Sequence, residues 1–208
     1  MKTLVMGCDA SGKSTLVRAI YEKYGDYTVE SSTAVEALAF KQANTGRVID
    51  APFINDREAF YLSLERAEQQ AQASIKGNLI TTNSLLITLL SHGAMRQCIG
   101  EPYTATHTIV DQWLNDETKN GVVPDIIVHV FAADAIIGQR IRERQRSGVV
   151  GEEFWGFNSP FFLSHYQRKL GKAADILALR GLNVLSVDTG HCKADFTFRQ
   201  YAKFRDMC

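Results

Sequence analysis

No net charge remains on this 208-residue chain, because 23 Lys plus Arg stand against 23 Asp plus Glu. That balance excludes a global basic field, so any contact with a polyanion must come from a local patch. Cysteine is scarce, and Cys8, Cys98, Cys192 and Cys208 form no C-x-x-C pair and have no histidine at zinc spacing. A zinc ribbon and a disulfide framework are thereby excluded, and the usage fits a reducing cytoplasm. No apolar run approaches the roughly 20 residues of a membrane span. Val5-Met6-Gly7-Cys8 has the outline of a lipoprotein cleavage site, but too few apolar residues precede it. Proline numbers only four, and neither a Pro-rich linker, an internal repeat nor a low-complexity segment divides the chain.

Hydrophobic residues make up 45% and charged residues 22%, which is ordinary globular usage. At roughly 150 residues per domain, the length implies one domain spanning residues 1–208. Runs of β-formers alternate with helical periodicity, the βαβ pattern of a parallel sheet covered on both faces. Strands are expected at Thr3–Met6, Tyr27–Val29, Leu79–Thr81, Ile126–Phe131 and Val184–Val187. The fold class is therefore α/β, a five-stranded parallel sheet between helices. Helices are expected near 13–24, 34–41, 56–76, 85–96, 135–145, 161–179 and 194–204, the third capped by Asn55 and closed by Gly77. Two stretches differ in texture: 100–120 with Tyr103, His107 and Trp113, and 147–160 with Phe154, Trp155 and Phe157. Both are read as flaps over a site.

Gly7-Cys8-Asp9-Ala10-Ser11-Gly12-Lys13-Ser14 matches G-x-x-x-x-G-K-[ST] between a strand and a helix. Glycines let the backbone curl so that successive N–H groups, Ala10 and Ser11 among them, turn toward phosphate oxygens at a helix N-terminus. Lys13 would reach the β- and γ-phosphates of ATP, and Ser14, followed by Thr15, would offer a hydroxyl to Mg²⁺. A GTPase would need an N-K-x-D segment, which does not occur. Kinase chemistry is the expected class, and a non-catalytic nucleotide-binding switch is the alternative.

The loop acid Asp9 makes this segment similar to that of thymidylate kinases, and further segments resemble that family in order. They are Leu62 to Gln69, Pro124 to Val130, Arg140 to Arg146, Phe161 to Tyr166 and the strand near Val184, so the resemblance covers most of the chain. It implies a P-loop kinase fold with an Arg-containing lid near 140–160. It also implies that Asp9 contacts the acceptor and that Arg66 reads a pyrimidine base. Two departures stand out: Thr82-Asn83 replaces the Asp-Arg pair that grips an acceptor monophosphate, and Glu30 is followed by Ser31-Ser32-Thr33, where the family has a second arginine. Arginine–phosphate bonds are about twice as strong as neutral ones, so their loss argues against tight capture of a free monophosphate.

The expected acceptor is thus a pyrimidine hydroxyl not held by a terminal 5′-phosphate. 5-Hydroxymethyluracil in DNA, the substrate of viral base-hypermodification kinases of this broad class, is preferred over a free nucleoside. An ordinary thymidylate or deoxynucleoside kinase with replacement cations is the alternative. Asp9 either orients the attacking hydroxyl or is a solvated loop acid. Glu30, at a strand's C-terminal end, either stands on the acceptor side with Asn83 and helps hold Mg²⁺ water or caps the next helix. Arg140 and Arg144 share one helical face and would engage the nucleotide, their alternative being a solvated helix end. No membrane partner is expected, and a homodimer is admissible.

Overall fold

The computed structural model describes residues 1–25, 27–29, 34–44, 47, 48, 50–120, 122–147, 160–190 and 194–208. Five strands, β1 (Lys2–Met6), β2 (Tyr27–Val29), β3 (Asn78–Thr81), β4 (Ile126–Phe131) and β5 (Val184–Asp188), form a parallel sheet in the order β2-β3-β1-β4-β5. Its register pairs Leu4 with Thr81 on one side and Ile127 on the other. The described helices are α1 (Lys13–Tyr24), α2 (Ala34–Ala43), α3 (Ala51–Ser74), α4 (Leu85–Cys98), α5 (Thr106–Asn120), α6 (Asp134–Arg146), α7 (Pro160–Leu179) and α8 (Ala194–Arg205).

Strand periodicity of two sorts the apolar residues onto two faces. Leu4, Met6 and Ile127 point into the larger core with residues of α3, α4, α5 and α7. Val5, Ile126, Val128 and Val130 point into a second core with Leu16 and Ile20 of α1 and Tyr201 of α8. Both faces are covered, as parallel strands that are apolar throughout require. Chain order reverses direction at β1, whose neighbours are β3 and β4, and ligands of open α/β sheets bind in the crevice at such a switch point.

Two expectations are corrected. The third helix begins at Ala51, not Asp56: Asp50 caps it by accepting from Phe53 N at 2.8 Å, and Pro52 sits in its first turn, where a missing N–H costs nothing. Asn55 instead accepts from Arg96 Nη2 at 2.7 Å. The stretch 100–120 is not a flap, because residues from Thr106 onward form α5. Its Ile109, Val110 and Trp113 share a helical face inside the larger core, Trp113 being 1% exposed. Of the other expected flap, residues 148–159, which include Phe154, Trp155 and Phe157 and most of the expected lid, lie outside the described residues.

Candidate active site

The loop 7–12 links the central strand to α1 and has the backbone its sequence demands. Gly12 takes φ +103° and Ala10 φ +59°, both left-handed. A Cβ on Gly7 would lie 2.4 Å from Val130 O and 2.5 Å from Ser11 Oγ, so only glycine fits there. Among the described residues no side chain caps the start of α1, leaving its first N–H groups to a ligand. Lys13 Nζ donates to Gly7 O at 2.7 Å and Cys8 O at 2.9 Å, which holds the ammonium over the curl. Ser11 Oγ is buried in the curl with no hydrogen-bond partner among the described residues. A cradle that a Cβ would fill, with amides and an ammonium around it, fits a polyphosphate. Burial pushes the Cys8 thiol up to about 12, so it is not a nucleophile here.

Two hollows flank this loop. The one toward β5, of about 220 Å³, is lined by Gly12, Thr15, Arg140, Arg144, Thr189 and Ala194, among others. Arg140 is heavily engaged: Nη1 donates to Ala10 O at 3.1 Å and Thr189 Oγ1 at 3.2 Å, and Nη2 to Thr189 O at 2.7 Å. Thr189 Oγ1 in turn donates to Ser11 O at 2.6 Å. The arginine thus clamps the loop to the end of β5, while Arg144, one turn on, shares the lining.

The opposite hollow, of about 300 Å³, opens beside Asp9 and Lys13. One wall is a stripe on α3, Arg57, Tyr61 and Glu65, spaced four apart so that they stack along one helical face. The other walls are Thr88 and Ser91 of α4 and Phe162 and Tyr166 of α7, with Thr82 and Asn83 at the end of β3. Arg96 ties α4 to α3 by donating to Glu58 Oε2 at 2.6 Å, which fixes the spacing of the walls.

Within this hollow the hydrogen bonds assign protonation states. His92 Nδ1 lies 2.8 Å from Thr88 O, which can only accept, so Nδ1 carries the proton and Nε2 accepts from Arg57 Nη1 at 2.6 Å. Burial beside Arg57 pushes the imidazole down to about 2, keeping it neutral. The Arg57 guanidinium also lies 4.5 Å above the Tyr61 ring. Burial raises the Tyr61 and Tyr166 phenols, so both stay protonated donors. Glu65 Oε1 accepts from Thr88 Oγ1 at 3.0 Å, and burial, with repulsion from Glu68 and Glu117, pushes this carboxyl up to about 8.

Of the residues singled out in the sequence, Gly7, Asp9 and Lys13 face the second hollow together with Asn83, while Arg140 and Arg144 face the first. Ser14 and Thr15 are exposed on the first turn of α1. Arg66 does not join Asp9: it is exposed and lines a separate space of about 20 Å³ between α3 and α4. Glu30, Ser31 and Ser32 lie outside the described residues. Beside Thr82-Asn83, where the family's arginine is missing, α3 brings another guanidinium, that of Arg57, into the wall. Sequence reasoning missed Arg57, Tyr61, Glu65, Thr88 and His92. Their signal was polar residues at four-residue spacing along helical faces otherwise turned to the core.

The profile of the AAA domain matches residues 3–155, from β1 past α6. The chain belongs to the AAA domain family. No curated protein matches this AAA domain chain. Its fold is that of deoxyadenosine kinase from M. mycoides. The structure of that enzyme with bound dATP has TM-score 0.68 and 18% identity, over 99% of this chain and 100% of the other. The structure with products dCMP and a flexible dCDP has TM-score 0.66 and 15% identity, over 100% and 99%. No described helix is long and apolar enough to cross a membrane.

Proposed function

We propose that the chain is an ATP-dependent kinase that transfers the γ-phosphoryl group to a hydroxyl of a nucleoside-type acceptor. The observation that carries this reading is the pair of hollows, of about 220 and 300 Å³, meeting at one phosphate-binding loop. ATP fits the β5 side, its phosphates on Gly7, Ala10, Ser11, Gly12, Lys13 and Thr15, its base toward Arg144. Among the described residues no cluster of His, Cys, Asp or Glu could hold a metal unaided. Mg²⁺ would be held by the Ser14 hydroxyl together with phosphate oxygens and water, the usual set for this ion. When bound it offsets charge on the transferring group.

The acceptor fits the Asp9 side, with Asp9 orienting the attacking hydroxyl and Asn83 at the end of β3 beside it. Arg140 acts through the loop it clamps, while Lys13 meets the phosphoryl oxygens. Phosphoryl transfer asks for positioning and charge stabilisation, which this set supplies. The structural relatives are kinases of deoxyadenosine, which supports a free nucleoside-type acceptor. An acceptor side without cations would favour hydroxymethyluracil in DNA, and Arg57 in that wall removes this support.

A panel of acceptors with labelled ATP tests the reading: thymidine, deoxycytidine, deoxyadenosine, their 5′-monophosphates and hydroxymethyluracil-containing DNA. Transfer to a free nucleoside or nucleotide is expected. Transfer to the DNA alone would restore the polymeric acceptor. ATP binding without any transfer would make the chain a nucleotide-binding switch.

A further inference from the structure

Arg66 is turned away, and the residue before it, Glu65, faces the hollow in its place. Its carboxyl is fixed by one hydrogen bond among the described residues, from Thr88 Oγ1 to Oε1 at 3.0 Å. A half-buried polar group lining a hollow, oriented by a neighbour and retaining capacity for further bonds, is the arrangement from which specificity is built. We propose that Glu65 reads the hydrogen-bonding edge of the acceptor's nucleobase, with Thr88 setting the direction in which the carboxyl presents its donor and its acceptor. This rests on the acceptor hollow being where a nucleoside binds, and it adds the residue that chooses among bases.

The chemistry follows from the hydroxyl's position. In a carboxylic acid one oxygen is a carbonyl acceptor and the other carries the proton. Thr88 donates to Oε1, which makes Oε1 the acceptor and leaves the proton on Oε2. A pyrimidine edge offers a ring nitrogen beside an exocyclic group: N–H beside C=O in a thymine-type base, bare N beside NH₂ in a cytosine-type base. These two patterns are inverted. A carboxyl of fixed polarity pairs with one pattern in a given pose and meets the other with donor facing donor and acceptor facing acceptor. Were Oε1 not pinned, the acid could exchange its two ends and accept both.

The acid form prevails at neutral pH because burial and the repulsion of Glu68 and Glu117 favour it. The charged groups acting on this carboxyl are Glu68 on α3 and Glu117 on α5, and it in turn raises the phenols of Tyr61 on α3 and Tyr166 on α7. Arg57 on α3 and Asp9 in the loop line the same hollow. Thr88, its partner on α4, is uncharged. Above about pH 8 the carboxyl loses its donor, and pairing with either edge weakens.

Direct titration of thymidine and deoxycytidine onto the full-length protein tests this without requiring catalysis. The unaltered chain should favour one of the two by about tenfold or more, the size of one misplaced hydrogen-bonding pair, and its nucleoside affinity should fall between pH 7 and pH 9. Glu65→Ala should bring the ratio close to one. Thr88→Val should narrow it while leaving ATP affinity unchanged. Glu65→Gln, which keeps one donor and one acceptor at all pH values, should remove the pH dependence. A ratio that survives in Glu65→Ala, or a chain that never distinguishes the two nucleosides, overturns the proposal. If Glu65→Ala does not fold, Thr88→Val and Glu65→Gln decide in its place: an unchanged ratio in the first together with an unchanged pH profile in the second overturns the proposal equally. Selective binding that depends on Glu65 but leads to no phosphoryl transfer would sustain this inference while removing the kinase reading.

Discussion

Arg57 Nη1 donates to His92 Nε2 at 2.6 Å, joining two residues 35 positions apart on α3 and α4. The bond requires a neutral imidazole, since a protonated one would present a second donor to the guanidinium. The wall of the acceptor hollow is therefore built on a histidine that must not titrate in the folded state.

Stability should consequently depend on pH through His92. Its pKa is about 2 in the folded chain against 6.5 as the ordinary value, so below pH 6.5 the unfolded chain binds a proton that the folded one refuses. The contribution is complete above pH 6.5 and declines as pH falls, by at most about 1.4 kcal/mol per pH unit. Chemical denaturation at pH 7, 6 and 5 should show a shallower decline in His92→Phe than in the unaltered chain, even though the variant is less stable overall. Equal slopes would remove this assignment.

Glu65 works in the opposite direction. Its carboxyl binds a proton up to about pH 8 when folded and only to about 4.5 when unfolded, so stability is lost as pH rises between those values. Glu65→Gln keeps the contact with Thr88 and removes the titration. The variant should melt higher than the unaltered chain at pH 8.5, and the difference should shrink toward pH 5.

Gly7→Ala places a methyl 2.4 Å from the Val130 carbonyl, a backbone atom that cannot swing aside. The loop must shift, and ATP binding should weaken by at least tenfold, about 1.4 kcal/mol, as measured by calorimetry. Lys13→Ala is the complementary change: it leaves the backbone alone, so the fold should be retained by circular dichroism while transfer falls by two orders of magnitude or more.

Arg140→Ala frees the Ala10 carbonyl and both Thr189 acceptors from three hydrogen bonds. Bonds from a charged donor contribute about 1.5–3 kcal/mol each when buried, less in this partly exposed setting. ATP affinity should drop and the KM for the acceptor should hold. Arg140→Lys should rescue little, because one ammonium cannot span Ala10 and Thr189 as a planar fork does.

The sheet and the phosphate loop are legible in the sequence because both are local. Apolar runs with turn signals mark β1, β3, β4 and β5, and the loop's glycines and lysine are contiguous. The acceptor hollow is not legible in that way. Arg57, Glu65, Thr88 and Tyr166 meet only through the packing of α4 between α3 and α7, and the four-residue spacing within α3 and within α4 does not record which helices meet. The motif favours Arg66 over Glu65 because it fixes order but not helical phase, and one position on a helix turns a side chain by about 100°. The start of α3 is obscured because Asp50 competes with Asn55 as a cap, and only the first is followed by proline. α5 is hidden by a polar surface face that outnumbers its few core residues.

A single loop serves as the partition between the two hollows, with Asp9 and Lys13 on one side and the Arg140–Thr189 clamp on the other. For the kinase proposed above, donor and acceptor enter from opposite flanks, and neither has to leave before its companion arrives. The kinetics that such a layout imposes are those of a ternary complex assembled in either order: double-reciprocal plots that intersect, and no phosphorylated enzyme trapped along the way.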